Sequence, residues 1–148
     1  MSELLAIWLT IFMAASGTQH RQIPQAELSL AGVELGDTEA QVIDKLGVPT
    51  SRVEEADFLH LHLNYVTVKV SFAFEEVAGL FSDNPKGCTP SGLCPGDSLK
   101  RMRAVYGAPE ISERETGTLF EYYSDCPCWL QIKPAGNKIG AITVACQP

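Results

Sequence analysis

The residues best equipped for chemistry in this 148-residue chain are its five cysteines: Cys88, Cys94, Cys126, Cys128 and Cys146. All lie in the second half. Cys126-Pro127-Cys128 is the closest spacing, and two thiols that near could cycle between oxidised and reduced forms, or hold a soft metal ion together with Cys146. A reactive thiolate wants a helix N-terminus or a cation beside it. The flanking residues are instead Asp125 and Trp129 in strand-like sequence, and no C-x-x-C occurs. Structural disulfides are therefore the expectation. Cys88 and Cys94 bracket a turn-rich Thr-Pro-Ser-Gly-Leu and close most easily. Bridged sulfurs on a hairpin must point to one face, which favours Cys126 with Cys146. Cys128 with Cys146 fits if the turn shifts by one residue on each side. Either way one thiol is left over.

His60 and His62 stand two apart in strand-like sequence, the spacing of a metal-binding pair on one face. Leu59, Leu61 and Leu63 should face the core, which puts both histidines on the solvent side. Asp37 and Asp97 could form a carboxylate pair, but each sits where a helix N-terminus is expected and is read as a cap. No G-x-S-x-G, H-E-x-x-H or P-loop pattern is present. These observations point to a non-enzymatic protein without a cofactor. Phe120, Tyr122, Tyr123 and Trp129 cluster around the CPC segment, and those left exposed would anchor a protein interface.

Composition narrows the class. Hydrophobic content of 45% with 20% charge suits a chain that buries a core, and a net charge of -7 disfavours nucleic acid. Residues 1–17 run apolar from Leu4 to Ala15 except for Thr10, then small residues follow, so they read as a signal peptide or a retained anchor. Glu3 is their only charge, which leaves -6 on the remainder. Residues 18–27 read as a flexible lead-in, with His20 as a solvated tail residue. The compartment implied is exported, periplasmic or secreted, with the membrane reached only through an uncleaved N-terminal segment.

The elements that would position the cysteines are read from an internal repeat. Leu35 to Pro49 and Pro95 to Pro109 align without a gap, with Gly36, Asp37, Gly47 and Pro49 recurring as Gly96, Asp97, Gly107 and Pro109. Thr38 or Ser98 starts a helix of about nine residues, glycine ends it, and proline blocks its continuation. Thr38 and Gln41 have capping-box spacing. A phase slip near Asn64-Tyr65 separates two strands, Glu75-Glu76 makes a tight turn, and the second copy offers strands at 119–123, 129–132 and 139–145. A further strand is expected near Leu28 to Val33. The predicted fold is α+β: two tandem repeats, 28–86 and 87–148, each a helix plus a three-strand antiparallel meander, in a two-layer sandwich with helices on one face.

The Gly-x-Thr/Ser start, short helix, Gly-x-Pro end and following meander resemble the SmpA/OmlA (BamE-like) superfamily of bacterial envelope proteins. Tandem copies of such a unit look like the β-lactamase inhibitor protein architecture. The resemblance implies a non-catalytic extracytoplasmic protein that binds another protein, in envelope assembly or enzyme inhibition. It carries over no contact residue, and the lipidated cysteine usual in BamE-like members is missing.

Overall fold

The computed structural model describes residues 21–148, so the signal segment and His20 lie outside the described residues. The chain is mostly β. Among the described residues its α-helices are α1 (Glu39–Leu46) and α2 (Leu99–Tyr106), and a short 3-10 turn covers Gln25–Glu27. A two-stranded ribbon pairs β1 (Ser29–Leu30) with β2 (Val33–Glu34). The remaining strands are β3 (Ser51–Glu54), β4 (Leu61–Asn64), β5 (Lys69–Ala73), β6 (Glu76–Ser82), β7 (Glu110–Arg114), β8 (Gly117–Tyr123), β9 (Cys128–Ala135) and β10 (Lys138–Cys146). All eight join one antiparallel sheet in the order β3-β4-β5-β6-β10-β9-β8-β7.

This architecture corrects the predicted α+β sandwich of two helix-plus-meander repeats. One continuous sheet dominates, and β6 pairs with β10 to carry it across the middle of the chain. Each helix is followed by four strands rather than three. The two missed strands, β3 and β7, are the sheet's edges, and all four residues of β3 are exposed. Their sequences, SRVE and EISER, lack the alternation that burial of one face writes into a strand.

The local helix signals do operate. Thr38 accepts from the Gln41 amide at 3.2 Å, and Gln41 returns a bond to the Thr38 amide at 2.8 Å. Ser98 accepts from the Arg101 amide at 3.0 Å. Gly47 (φ 81°) and Gly107 (φ 85°) end the helices in a conformation that favours glycine. The aspartates, however, do not cap them. Asp37 accepts from the Glu34 amide and from Lys45 Nζ at 2.7 Å, and Asp97 from the Cys94 amide at 2.8 Å, so both close the turns ahead of the helices. A hydroxyl one residue later is better placed for the first-turn amides.

Register explains the core. Leu63, Val70, Leu80, Val144, Leu130 and Tyr122 form one row across six strands, all on the face that meets Val42 of α1 and Met102 of α2. Every member of that row is at most 2% exposed. Residues 23–27, expected to be loose, are tied down. The Ile23 amide bonds the Tyr123 carbonyl at 2.9 Å, and Glu27 accepts from the Tyr106 hydroxyl at 2.7 Å and from Ser91. Burial is the main cause that pushes the Tyr106 phenol well above its ordinary pKa.

The β5–β6 turn is Phe74-Glu75, one residue earlier than read from sequence, and both residues take positive φ (51° and 68°). Neither is a residue that this region favours. Glu75→Gly should therefore stabilise the protein by about 0.5–1 kcal/mol, read in equilibrium unfolding as a higher denaturant midpoint at unchanged slope.

Candidate functional site

The sheet face opposite the helices is where the polar and aromatic side chains of the strands gather. Alternation puts two rows there. One runs His62, Ser71, Gly79, Ala145, Trp129, Tyr123, and the other Lys69, Phe81, Thr143, Gln131, Glu121, Glu110. In the first row small residues, Gly79 and Ala145, occupy the two middle strands, with Trp129 and Tyr123 to one side. A hollow of about 610 Å³ opens over the small residues, with the loop before β4 contributing Phe58 and Leu59 to its lining.

His62 is buried in this face, at 7% exposure, not solvated as its position between leucines suggested. The 55–60 loop reaches back to it. Glu55 Oε2 lies 3.3 Å from His62 Nε2, and Ser71 Oγ lies 2.8 Å from Nδ1. A carboxylate only accepts, so Nε2 carries the proton and Nδ1 accepts from the serine hydroxyl. Both ring nitrogens are thus used. His60 turns to the other side of the sheet, into a cleft between α1 and the sheet edge lined by Glu39 and Arg52. There the Arg52 guanidinium, 2.7 Å from Glu39, holds the Glu39 carboxyl below the usual carboxylate range. The two histidines face different cavities and do not make a metal pair.

At the far end of the face a second buried polar group is fully paired. Glu121, at 3% exposure, accepts from Arg114 Nη2 at 3.2 Å, from Gln131 Nε2 at 3.3 Å and from the Tyr123 hydroxyl. That bond to Glu121, with burial second, pushes the Tyr123 phenol up to about 12. Tyr123 packs against Trp129 at a centroid distance of 6.3 Å and stays 40% exposed. Of the four aromatics expected at an interface, Phe120 and Tyr122 lie on the helix side and are buried. Tyr123 and Trp129 remain on the open face. Parity along β8 separates them, since successive residues alternate sides. Phe81, at 41% exposure, joins the open face as well.

The disulfides are Cys88–Cys94 and Cys128–Cys146, with Cα separations of 4.2 Å and 3.9 Å. The first is the predicted pair. The second replaces the favoured Cys126–Cys146, and the reason is register. Lys138 pairs with Ala135, a ladder that would put Cys146 opposite Pro127 if it ran on unbroken. The register shifts between Ile139 and Ala141, so the extra residue, Gly140, moves Cys146 opposite Cys128. A Cβ on Gly140 would lie 3.1 Å from the Ala135 Cβ and 3.2 Å from the Lys133 carbonyl, so the bulge leaves little room for a side chain. Cys126 is the free thiol, half-buried, with Ser124 Oγ 2.8 Å away. A Cys126–Cys128 redox couple is therefore not what the fold makes, and two of the three sulfurs in the supposed metal set are already bonded to each other.

No family model and no curated protein matches this sequence. Two solved structures share its fold. One is an extracellular protein containing a SCP domain from Bacillus anthracis str. Ames, with a TM-score of 0.56 and 11% identity over 76% of this chain. The match takes in only 44% of that protein. The other is a DUF4309 family protein (YjgB) from Bacillus subtilis subsp. subtilis str. 168, with a TM-score of 0.53 and 9% identity over 78% of this chain and 83% of that one. Neither is the envelope family or the inhibitor architecture that the repeat resembles. An extracellular neighbour and two disulfides are consistent with an exported protein. Among the described residues, no helix is long and apolar enough to cross a membrane.

Two measurements check this geometry. Thiol titration of the unreduced, denatured protein should find one free thiol in the wild type and none in Cys126→Ser. A Cys126–Cys146 bridge would instead leave thiols in that variant. In a pH titration of phenolate absorbance, two tyrosines, Tyr122 and Tyr123, should titrate near 12, and Tyr123 alone should move down in Glu121→Gln. The fold favours the neutral phenol of Tyr123. Its stabilising effect is therefore full below the ordinary tyrosine pKa of about 10 and is lost as the pH rises through about 12.

Proposed function

We propose that this chain is a non-enzymatic exported protein, periplasmic or secreted, that binds another extracytoplasmic protein through the helix-free face of its sheet. The observation that supports this is the aromatic patch on that face, where Tyr123, 40% exposed, packs against half-buried Trp129. Tyrosine and tryptophan combine a large apolar area with a polar tip and few rotatable bonds, which is why they dominate binding hot spots. Beneath the patch, Glu121, itself held by Arg114 and Gln131, accepts from the Tyr123 hydroxyl and fixes that side chain, so little side-chain entropy remains to be lost on association. The roles suggested by the sequence resemblance are accessory to envelope assembly and enzyme inhibitor.

A second reading, thiol–disulfide exchange, has one observation in its favour. Cys126 lines a hollow of about 350 Å³ that is also lined by Cys128 and Cys146.

Both readings are tested by capture from an envelope extract with tagged protein spanning residues 18–148. The binding reading expects a saturable protein partner that survives Cys126→Ser and weakens at least about tenfold in a Tyr123→Ala, Trp129→Ala double variant. Capture that ignores the aromatic substitutions would overturn it. Capture only as a mixed disulfide that vanishes in Cys126→Ser would establish the second reading instead.

A further inference from the structure

We propose that the hollow at the centre of the helix-free face is a binding site for a single-chain amphiphile, an apolar tail carrying one anionic head such as a carboxylate. The proposal concerns different residues from the aromatic patch and does not rest on the protein-binding reading.

Four observations support it. First, the hollow measures about 610 Å³, and pockets for small ligands span roughly 300–1,000 Å³. Second, its floor is short because three neighbouring strands place Ser71, Gly79, Thr143 and Ala145 side by side, while Phe58 and Phe81 add large apolar surface to the lining. Packing does not demand the glycine. A Cβ on Gly79 would meet Ser71 Cβ and the Val144 carbonyl at 3.7 Å, an ordinary contact, and Gly79 does not have a positive φ. The missing side chain simply leaves room above the sheet.

Third, the polar side chains of His62 and Ser71 in the floor are already engaged. His62 and Ser71 bond each other at 2.8 Å, and the second ring nitrogen of His62 is taken by Glu55. A ligand lying over them finds no unpaired donor or acceptor there, which suits an apolar tail and disfavours a polyol or peptide that must hydrogen-bond along its length. Fourth, Lys69 is the one formally charged side chain in the lining, and no carboxylate pairs with it among the described residues. An ammonium at the border of apolar surface attracts an anion and repels a cation, and it stands out in a chain whose net charge is -7. The head therefore sits at Lys69 and the tail crosses Gly79 and Ala145.

The test uses the folded protein with anilinonaphthalene sulfonate, an apolar ring system with one sulfonate, as a fluorescent probe. The expected result is saturable one-site enhancement, displaced by dodecanoate at concentrations at least about tenfold below those needed for dodecyltrimethylammonium. Lys69→Ala should erase that difference while leaving displacement by dodecanol unchanged. Gly79→Leu, which fills the hollow, should abolish binding without altering the circular dichroism spectrum. Gly79→Ala, a smaller change, should weaken binding a few-fold even if the leucine variant misfolds. Enhancement that persists in both Gly79 variants would overturn the proposal. So would equal displacement by the cationic and anionic chains, or binding seen only with intact phosphatidylglycerol vesicles.

Discussion

The pairing of β6 with β10 is the interaction on which the rest of the molecule depends. Four registered pairs, Ser82 with Ile142, Phe81 with Thr143, Leu80 with Val144 and Gly79 with Ala145, turn two four-strand meanders into one sheet. On the helix side they bring Leu80 and Val144 together, so the apolar groups under both helices form a single cluster. A meander of about sixty residues alone would bury too small a fraction of its surface to be secure. On the other side the same pairs set Gly79 beside Ala145 and Phe81 beside Thr143. The hollow lies across this seam, and neither meander contains it complete.

The open face is unusual in how its polar groups are handled. His62, Ser71 and Glu121 are all buried there, at 7%, 8% and 3% exposure. Each is held by partners from a neighbouring strand or loop, and no buried side-chain nitrogen or oxygen among the described residues lacks a hydrogen bond. A buried polar group left unpaired costs about 1–3 kcal/mol, so this arrangement removes a penalty at three points. It also stiffens the surface.

Much of the local structure was legible from residues alone, because its causes are local. Thr38 and Gln41 announce a capping box through their own spacing, and Gly47 and Gly107 mark helix ends through a backbone conformation that other residues resist. The overall architecture was not legible in this way. Nothing in Glu76–Ser82 or Lys138–Cys146 says that these strands pair with each other rather than ending separate sheets. The edges β3 and β7 were invisible because strands that bury neither face carry no strong periodic signal. At the candidate site, the choice between Cys126 and Cys128 turned on one extra residue at Gly140, a displacement that turn length alone cannot reveal. The histidines were misplaced for a related reason. His62 is covered by the 55–60 loop, and loop coverage is a tertiary event.

The strand at the centre of the sheet, β10, is also the one that comes last in the sequence. Until it is in place, β6 and β9 present bare backbone edges to each other's empty side, and the cluster beneath the helices is split. The sheet therefore cannot close, nor the two parts of the core meet, until β10 has been made. For a chain that crosses a membrane before folding, such delay is useful, since a half-made protein with no closed sheet remains threadable. The same delay places closure of Cys128 with Cys146 after β9 and β10 have met, in the oxidising space where that bond can persist.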